Sequence, residues 1–223
     1  MLIPMIIPII YTLKYKQESL VDVIVIFLIM IGIVIFYWPL TISFYLSANI
    51  FSKFILFILF PLLIIFLNFK IKNNEYNNKV FNLSQFGLTI KELANSIKLG
   101  LIFIPLMLIV TFLVKYMING YYDIDFSLGV ISFFESFTEE FFFRGVLFLF
   151  LMIKTNLKIA YVTSLSSFIL MHPQNFTNLF IISTLVQGLI TLEICRRSRN
   201  LAGGWIVHGT NRFFSIVIYP LFM

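Results

Sequence analysis

Three glutamates and an arginine stand inside one apolar run, ESFTEEFFFRG over residues 135–145. Helical geometry sorts them into two sets, because residues four apart share a face and neighbours lie about 100° apart. Glu140 and Arg144 are spaced to pair, with the acid on the N-terminal side as such pairs prefer. Glu139 shares its face with Glu135 instead. Two carboxylates held close in low dielectric tend to keep a proton between them, a condition under which one can serve as general base near neutrality. A charge at the centre of a spanning helix costs roughly 2.5–3.5 kcal/mol on insertion scales. The cluster therefore needs either compensation or a function. Polar glue between packed helices is the plainer alternative.

The chain has two histidines, and both fall in or at the end of apolar runs: His172 closes FILMH from Phe168, and His208 opens HGTN. A lone intramembrane histidine usually bonds one helix to another. Two of them beside a carboxylate cluster favour a site. Glu139 lies 15 residues before Lys154 and His172 lies 14 after Lys158, so both sit about 21 to 23 Å from the basic residues that mark one boundary. His208 is 9 residues from Arg199, about 14 Å, so its helix must tilt or start deeper to join them. Ser164, Ser166 and Ser167 are as readily explained by helix packing. There is no HExxH, and the lone Cys195 allows no intrachain disulfide and no CxxC site, which speaks against redox chemistry.

A membrane must position these groups. Hydrophobic residues make up 60% of the 223 and charged ones 12%, with a mean hydropathy of +1.00, outside the range of ordinary soluble domains. The net charge of +6 lies in short clusters between apolar runs, which speaks against a nucleic-acid partner. The pattern predicts an all-α polytopic transmembrane bundle. Its spans fall near 20–39, 54–69, 99–117, 127–153, 157–173, 178–195 and 201–222, seven in all, or eight if residues 1–13 insert. Those 13 residues make about 20 Å of helix against a core of about 30 Å and contain Pro4 and Pro8, so they read as interfacial. They lack a charged start and a small-residue cleavage site, unlike a signal peptide.

Two regions follow: 1–84, with the apolar N-terminal segment, two spans and a polar loop, and 85–223, with the chemistry. The Asn-rich stretch after Lys72 reads as a loop. Beyond it, Thr89 and Glu92 have capping-box spacing, and Ile90, Leu93, Ala94 and Ile97 recur at helical intervals. An amphipathic surface helix is expected there, ahead of the third span. Lysines and arginines gather on one side of the spans (Lys14, Lys16, Lys70, Lys72, Lys79, Lys91, Lys98, Lys154, Lys158, Arg196, Arg197, Arg199), with Lys53 and Lys115 on the other. This predicts a cytoplasmic N-terminus and an outside C-terminus. Richness in Lys, Asn, Ile and Phe points to an AT-rich genome and a prokaryotic plasma membrane.

At the polar residues the chain resembles the CPBP intramembrane proteases, also called Abi or CAAX-like proteases, which include the type II CAAX prenyl endopeptidases. Their pattern is EExxxR on one helix, FxxxH on the next, and a histidine followed by Asn or Asp near the end of the core. Here it reads Glu139-Glu140-Phe-Phe-Phe-Arg144, Phe168 to His172, and His208 with Asn211, over roughly residues 85–223. The family's last Asn or Asp usually lies four residues after its histidine. Arg212 stands there, and Asn211, three after, still shares the histidine's face. Arg212 is free in sequence terms to pair with Glu135 or with an incoming carboxylate.

The resemblance implies an intramembrane endopeptidase acting on a membrane-associated peptide or protein, through CAAX-type, signalling or bacteriocin-peptide processing. It implies Glu139 as the base that activates water, His172 as the group that helps hold it, and His208 with Asn211 as oxyanion stabilisers. Glu140 and Arg144 would shape the site. Glu139, His172 and His208 also form a donor set compatible with a divalent metal such as zinc, so glutamate-dependent and metalloprotease readings both stand. Two other classes compete. One is a proteolytically inactive relative serving immunity or scaffolding, with Arg212 as its mark. The other is a proton-coupled transporter, against which the absence of repeats and of paired broken helices weighs.

Overall fold

The computed structural model describes residues 1–43, 46–75, 81–118 and 123–222, and all regular structure among them is helical. Two compact units interleave along the chain, the first from Met1–Leu88 and Phe141–Ser167, the second from Thr89–Glu140 and Phe168–Met223. Lys79 and the end of the Asn-rich loop lie outside the described residues.

In the first unit α1 (Ile6–Tyr15) and α2 (Leu20–Ser43) precede α3 (Leu46–Phe54), which passes through a π-helical turn, Ile55–Leu59, into α4 (Phe60–Glu75). Pro8 does not interrupt α1, because it lies in the first turn, where the helix needs no N–H from it. Phe141–Phe150 is π-helical and leads to the short α7 (Leu151–Lys154) and to α8 (Leu157–Leu170). All ten residues of that π-helical stretch are buried, so apolar side chains surround it on every side. Phe57 meets Phe142 edge-on at 5.4 Å between ring centroids, and Phe86 stacks on Phe150 at 5.0 Å. Ser164 donates to the Phe143 carbonyl at 2.7 Å, a packing role in keeping with its sequence reading. Asp22 binds Asn68, Lys72 and Lys154 at 2.7, 2.8 and 2.8 Å, tying α2 to α4 and α7.

The second unit is built on α5 (Leu93–Ile118), α6 (Phe126–Glu140), α9 (Phe180–Ser198) and α10 (Ala202–Phe213). The expected surface helix is not separate: Leu93, Ala94 and Ile97 open α5, which runs unbroken to Ile118. No capping box forms. Glu92 takes φ 60, a left-handed conformation that cannot belong to a first helical turn, and the Thr89 hydroxyl accepts from Lys91 instead.

Small residues let α10 approach its neighbours closely. The Ser96 hydroxyl accepts from Gly203 N–H at 2.9 Å, and a Cβ at Gly203 would strike the Ser96 backbone. Trp205 donates from Nε1 to the Phe133 carbonyl at 3.0 Å. Met107, Ile190, Ile194 and Val207 close the core between α5, α9 and α10.

Among the described residues three helices, Gln17–Tyr37, Ile50–Lys72 and Leu93–Ile118, are long and apolar enough to cross a membrane. Ile24, Leu28, Leu63, Phe66, Leu101, Ile102, Ile109 and Leu113 are exposed along them, as suits lipid-facing surfaces. The runs predicted at 157–173 and 178–195 form α8 and α9, parted by a 3₁₀ turn over Pro173–Thr177, and the last run is α10 extended by π-helical Phe214–Ile218.

Lys53 and Lys115, read from sequence as charges of the opposite loops, are both buried. The Lys53 ammonium lies 5.8 Å from the centroid of the Tyr37 ring. Lys115 donates to the Ser215 carbonyl. The reason is local: Tyr219 N–H already bonds Phe214, and Pro220, next in that π-helical ladder, has no N–H to offer Ser215.

Candidate functional site

Within the second unit the last turns of α6 carry Glu135, Glu139 and Glu140, all buried. His172 follows the end of α8, where Pro173 stops the helix and opens the 3₁₀ turn. Asn175 in that turn donates to Thr184 of α9 at 2.7 Å and fixes the segment. His208, Asn211 and Arg212 lie on α10.

These elements bring both histidines to one carboxylate oxygen. Glu139 Oε2 is 3.8 Å from His172 Nε2 and 3.9 Å from His208 Nε2, so the shallow start of the last span does not keep His208 away. The far nitrogen of each ring is engaged. His172 Nδ1 lies 2.9 Å from the Phe168 carbonyl and His208 Nδ1 lies 2.8 Å from Glu140 Oε1. A carbonyl and a carboxylate can only accept, so each ring carries an N–H on Nδ1 and turns Nε2 to Glu139. Phe168 meets both imidazoles edge-on, at 4.9 Å for His172 and 6.1 Å for His208. The phenylalanine of FxxxH is thus an apolar wall shared by the two rings.

Two supporting residues have no place in the sequence reading. A Cβ built on Gly204 would stand 3.1 Å from Glu140 Oε2, so the bare glycine gives that carboxylate its room. Gln187 of α9 accepts from Asn211 Nδ2 at 2.8 Å, and Asn211 Oδ1 has no hydrogen-bond partner among the described residues. The signal for Gln187 was present: it is an amide in the middle of an apolar run, the same anomaly that picks out the histidines.

Glu135 and Glu139 do share a face, but they do not confront each other as bare charges. Arg212 reaches Glu135 Oε2 at 3.0 Å and Glu139 Oε1 at 3.5 Å, placing a guanidinium against both and compensating one of the two negative charges. Arg144 belongs to the first unit, buried in the π-helical stretch.

Donors around a tetrahedral zinc with bonds of about 2.0–2.2 Å lie about 3.4 Å apart. The two imidazole nitrogens stand farther than this from Glu139, and no group of three or more His, Cys, Asp and Glu side chains among the described residues is arranged to hold a metal ion. As they stand, the three groups do not fit the metal. Polar separations beyond 3.5 Å are instead those a bridging water closes.

Residues 124–214 match the family model described as type II CAAX prenyl endopeptidase Rce1-like. The matched segment spans α6 to α10 and includes all of Glu139, Glu140, Arg144, His172, His208 and Asn211. No curated protein and no solved structure matches the chain.

Proposed function

We propose, from the match of residues 124–214 to the family model described as type II CAAX prenyl endopeptidase Rce1-like, that the chain is an intramembrane endopeptidase using Glu139 as its general base. At family level the match supports an intramembrane CAAX-type protease. The residue roles rest on one observation: Glu139 Oε2 lies within one water's reach of two imidazole nitrogens whose far sides are already engaged.

In this reading a water sits between Glu139 Oε2 and His172 Nε2, both acceptors, and gives each a proton to hold. Its lone pair is then presented to the scissile carbonyl. Glu139 takes the proton as the water oxygen bonds to the carbonyl carbon, and returns it to the leaving amine as the C–N bond breaks. His208, held at Nδ1 by Glu140, turns Nε2 toward the oxyanion and supplies an N–H there. Asn211, one turn further along α10, is the second polar group on that face. No step needs a metal.

The chain is read as crossing the bilayer seven times, with a cytoplasmic N-terminus and an outside C-terminus in a plasma membrane. The substrate class is a membrane-associated peptide with a prenylated cysteine near its C-terminus. The test is mass spectrometry of such peptides after incubation with the full chain in liposomes. Cleavage on the C-terminal side of the modified cysteine is expected, and intact peptides across the set would favour the alternative of an inactive relative serving immunity or scaffolding. One observation favours that alternative: Arg212 stands where the family pattern has Asn or Asp.

A further inference from the structure

Arg212 joins two carboxylates that belong to one face of α6, with Nη2 on Glu135 Oε2 at 3.0 Å and Nη1 on Glu139 Oε1 at 3.5 Å. We propose that Arg212 is the positioning residue of the general base: it holds Glu139 by Oε1 so that Oε2 stays on the imidazole pair, and Glu135 anchors the guanidinium. This rests on the reading of Glu139 as the base.

The two oxygens of Glu139 have different neighbours. Oε1 faces the guanidinium and Oε2 faces the histidines, so the contact on one oxygen sets the plane in which the other is presented. A planar fork with parallel N–H groups can span two acceptors at fixed separation, which an ammonium cannot. The shorter bond is to Glu135. It immobilises a side chain that is 28% exposed and would otherwise sample many rotamers.

The competing role is capture of an anionic group on the substrate. Geometry weighs against it, because both ends of the guanidinium are already engaged, Nη2 by Glu135 and Nη1 by Glu139. On this proposal Arg212 has a role of its own at the position where the family pattern has Asn or Asp.

The test compares Arg212→Gln, Arg212→Lys and Glu139→Gln with wild type, each as the full chain in liposomes. The probe is an internally quenched peptide bearing a farnesylated cysteine three residues from its C-terminus. Arg212→Gln should lower kcat about a hundredfold, as a misplaced reacting group does, with KM within about twofold and an unfolding temperature close to wild type. Arg212→Lys should recover part of that loss. A rise in KM at unchanged kcat would assign Arg212 to substrate capture and overturn the proposal. Full kcat in Arg212→Gln beside a dead Glu139→Gln would overturn the positioning role alone, whereas full turnover in Glu139→Gln would remove the base and its positioning residue together. Should Arg212→Gln fail to fold, Glu135→Gln tests the same contact. A roughly tenfold lower kcat supports it and an unchanged kcat overturns it.

Discussion

Glu140 grips His208 by Nδ1 at 2.8 Å and so decides that Nε2 is the nitrogen turned to Glu139. The two adjacent glutamates of α6 thus act on one ring from different sides. Glu140 holds Nδ1 and Glu139 faces Nε2, a division that the spacing of EE alone does not reveal. An amide in place of Glu140 would offer the ring a donor as readily as an acceptor and no longer fix its orientation. Glu140→Gln should retain its fold and lose kcat by as much as ~10⁴-fold, as orienting carboxylates in acyl-transfer triads do. Steady-state kinetics beside a thermal melt checks both halves.

The glycines of α10 should separate stability from activity. At Gly203 a Cβ meets backbone, which cannot yield, and at Gly204 it meets the Glu140 carboxylate and the Thr191 side chain. Gly203→Ala should therefore lose about 1–3 kcal/mol of stability, the usual range for overpacking. Gly204→Ala should unfold nearer to wild type and lose turnover by shifting Glu140. Melting temperature and kcat, measured on both variants, read the two effects.

Lys115 is expected to matter for stability and little for chemistry. Its ammonium meets a carbonyl that Pro220 cannot serve. Lys115→Met leaves the carbonyl of the half-buried Ser215 without that donor, which should cost about 1 kcal/mol. The melt should fall while kcat of the folded fraction stays near wild type.

The convergence of the polar side chains was more legible than the scaffold that brings them together. Glu139, His172 and His208 were visible because charge and imidazole are anomalies in lipid, whatever surrounds them. The burial of Lys53 and Lys115 was not legible, since a tally of basic residues by loop cannot distinguish a solvated lysine from one buried beside a ring or carbonyl. The Thr89 and Glu92 box failed because spacing does not report φ, and Glu92 takes the left-handed conformation. Gly204, Gln187 and the bridge from Arg212 join helices far apart in sequence, and only packing brings them together. The alternation of long apolar runs announced an all-helical chain. Two of its longest helices, Gln17–Tyr37 and Leu93–Ile118, fall close to the runs predicted.

Metal removal separates the two chemistries that the donor set left open. The two imidazole nitrogens stand farther from Glu139 than donors on one zinc ion do. Turnover should stay within about twofold after exhaustive dialysis against a strong chelator, since hydrogen bonds to water need no ion. Loss on chelation with recovery on adding zinc would replace the glutamate route by a metal-assisted one.

The most direct measurement is the single-turnover rate of Glu139→Gln on a prenylated, internally quenched peptide in liposomes, beside wild type at the same folded concentration. Removing a positioned general base should slow cleavage by about 10²–10⁴-fold while the variant keeps its melting temperature. Cleavage by Glu139→Gln at the wild-type rate would contradict the account.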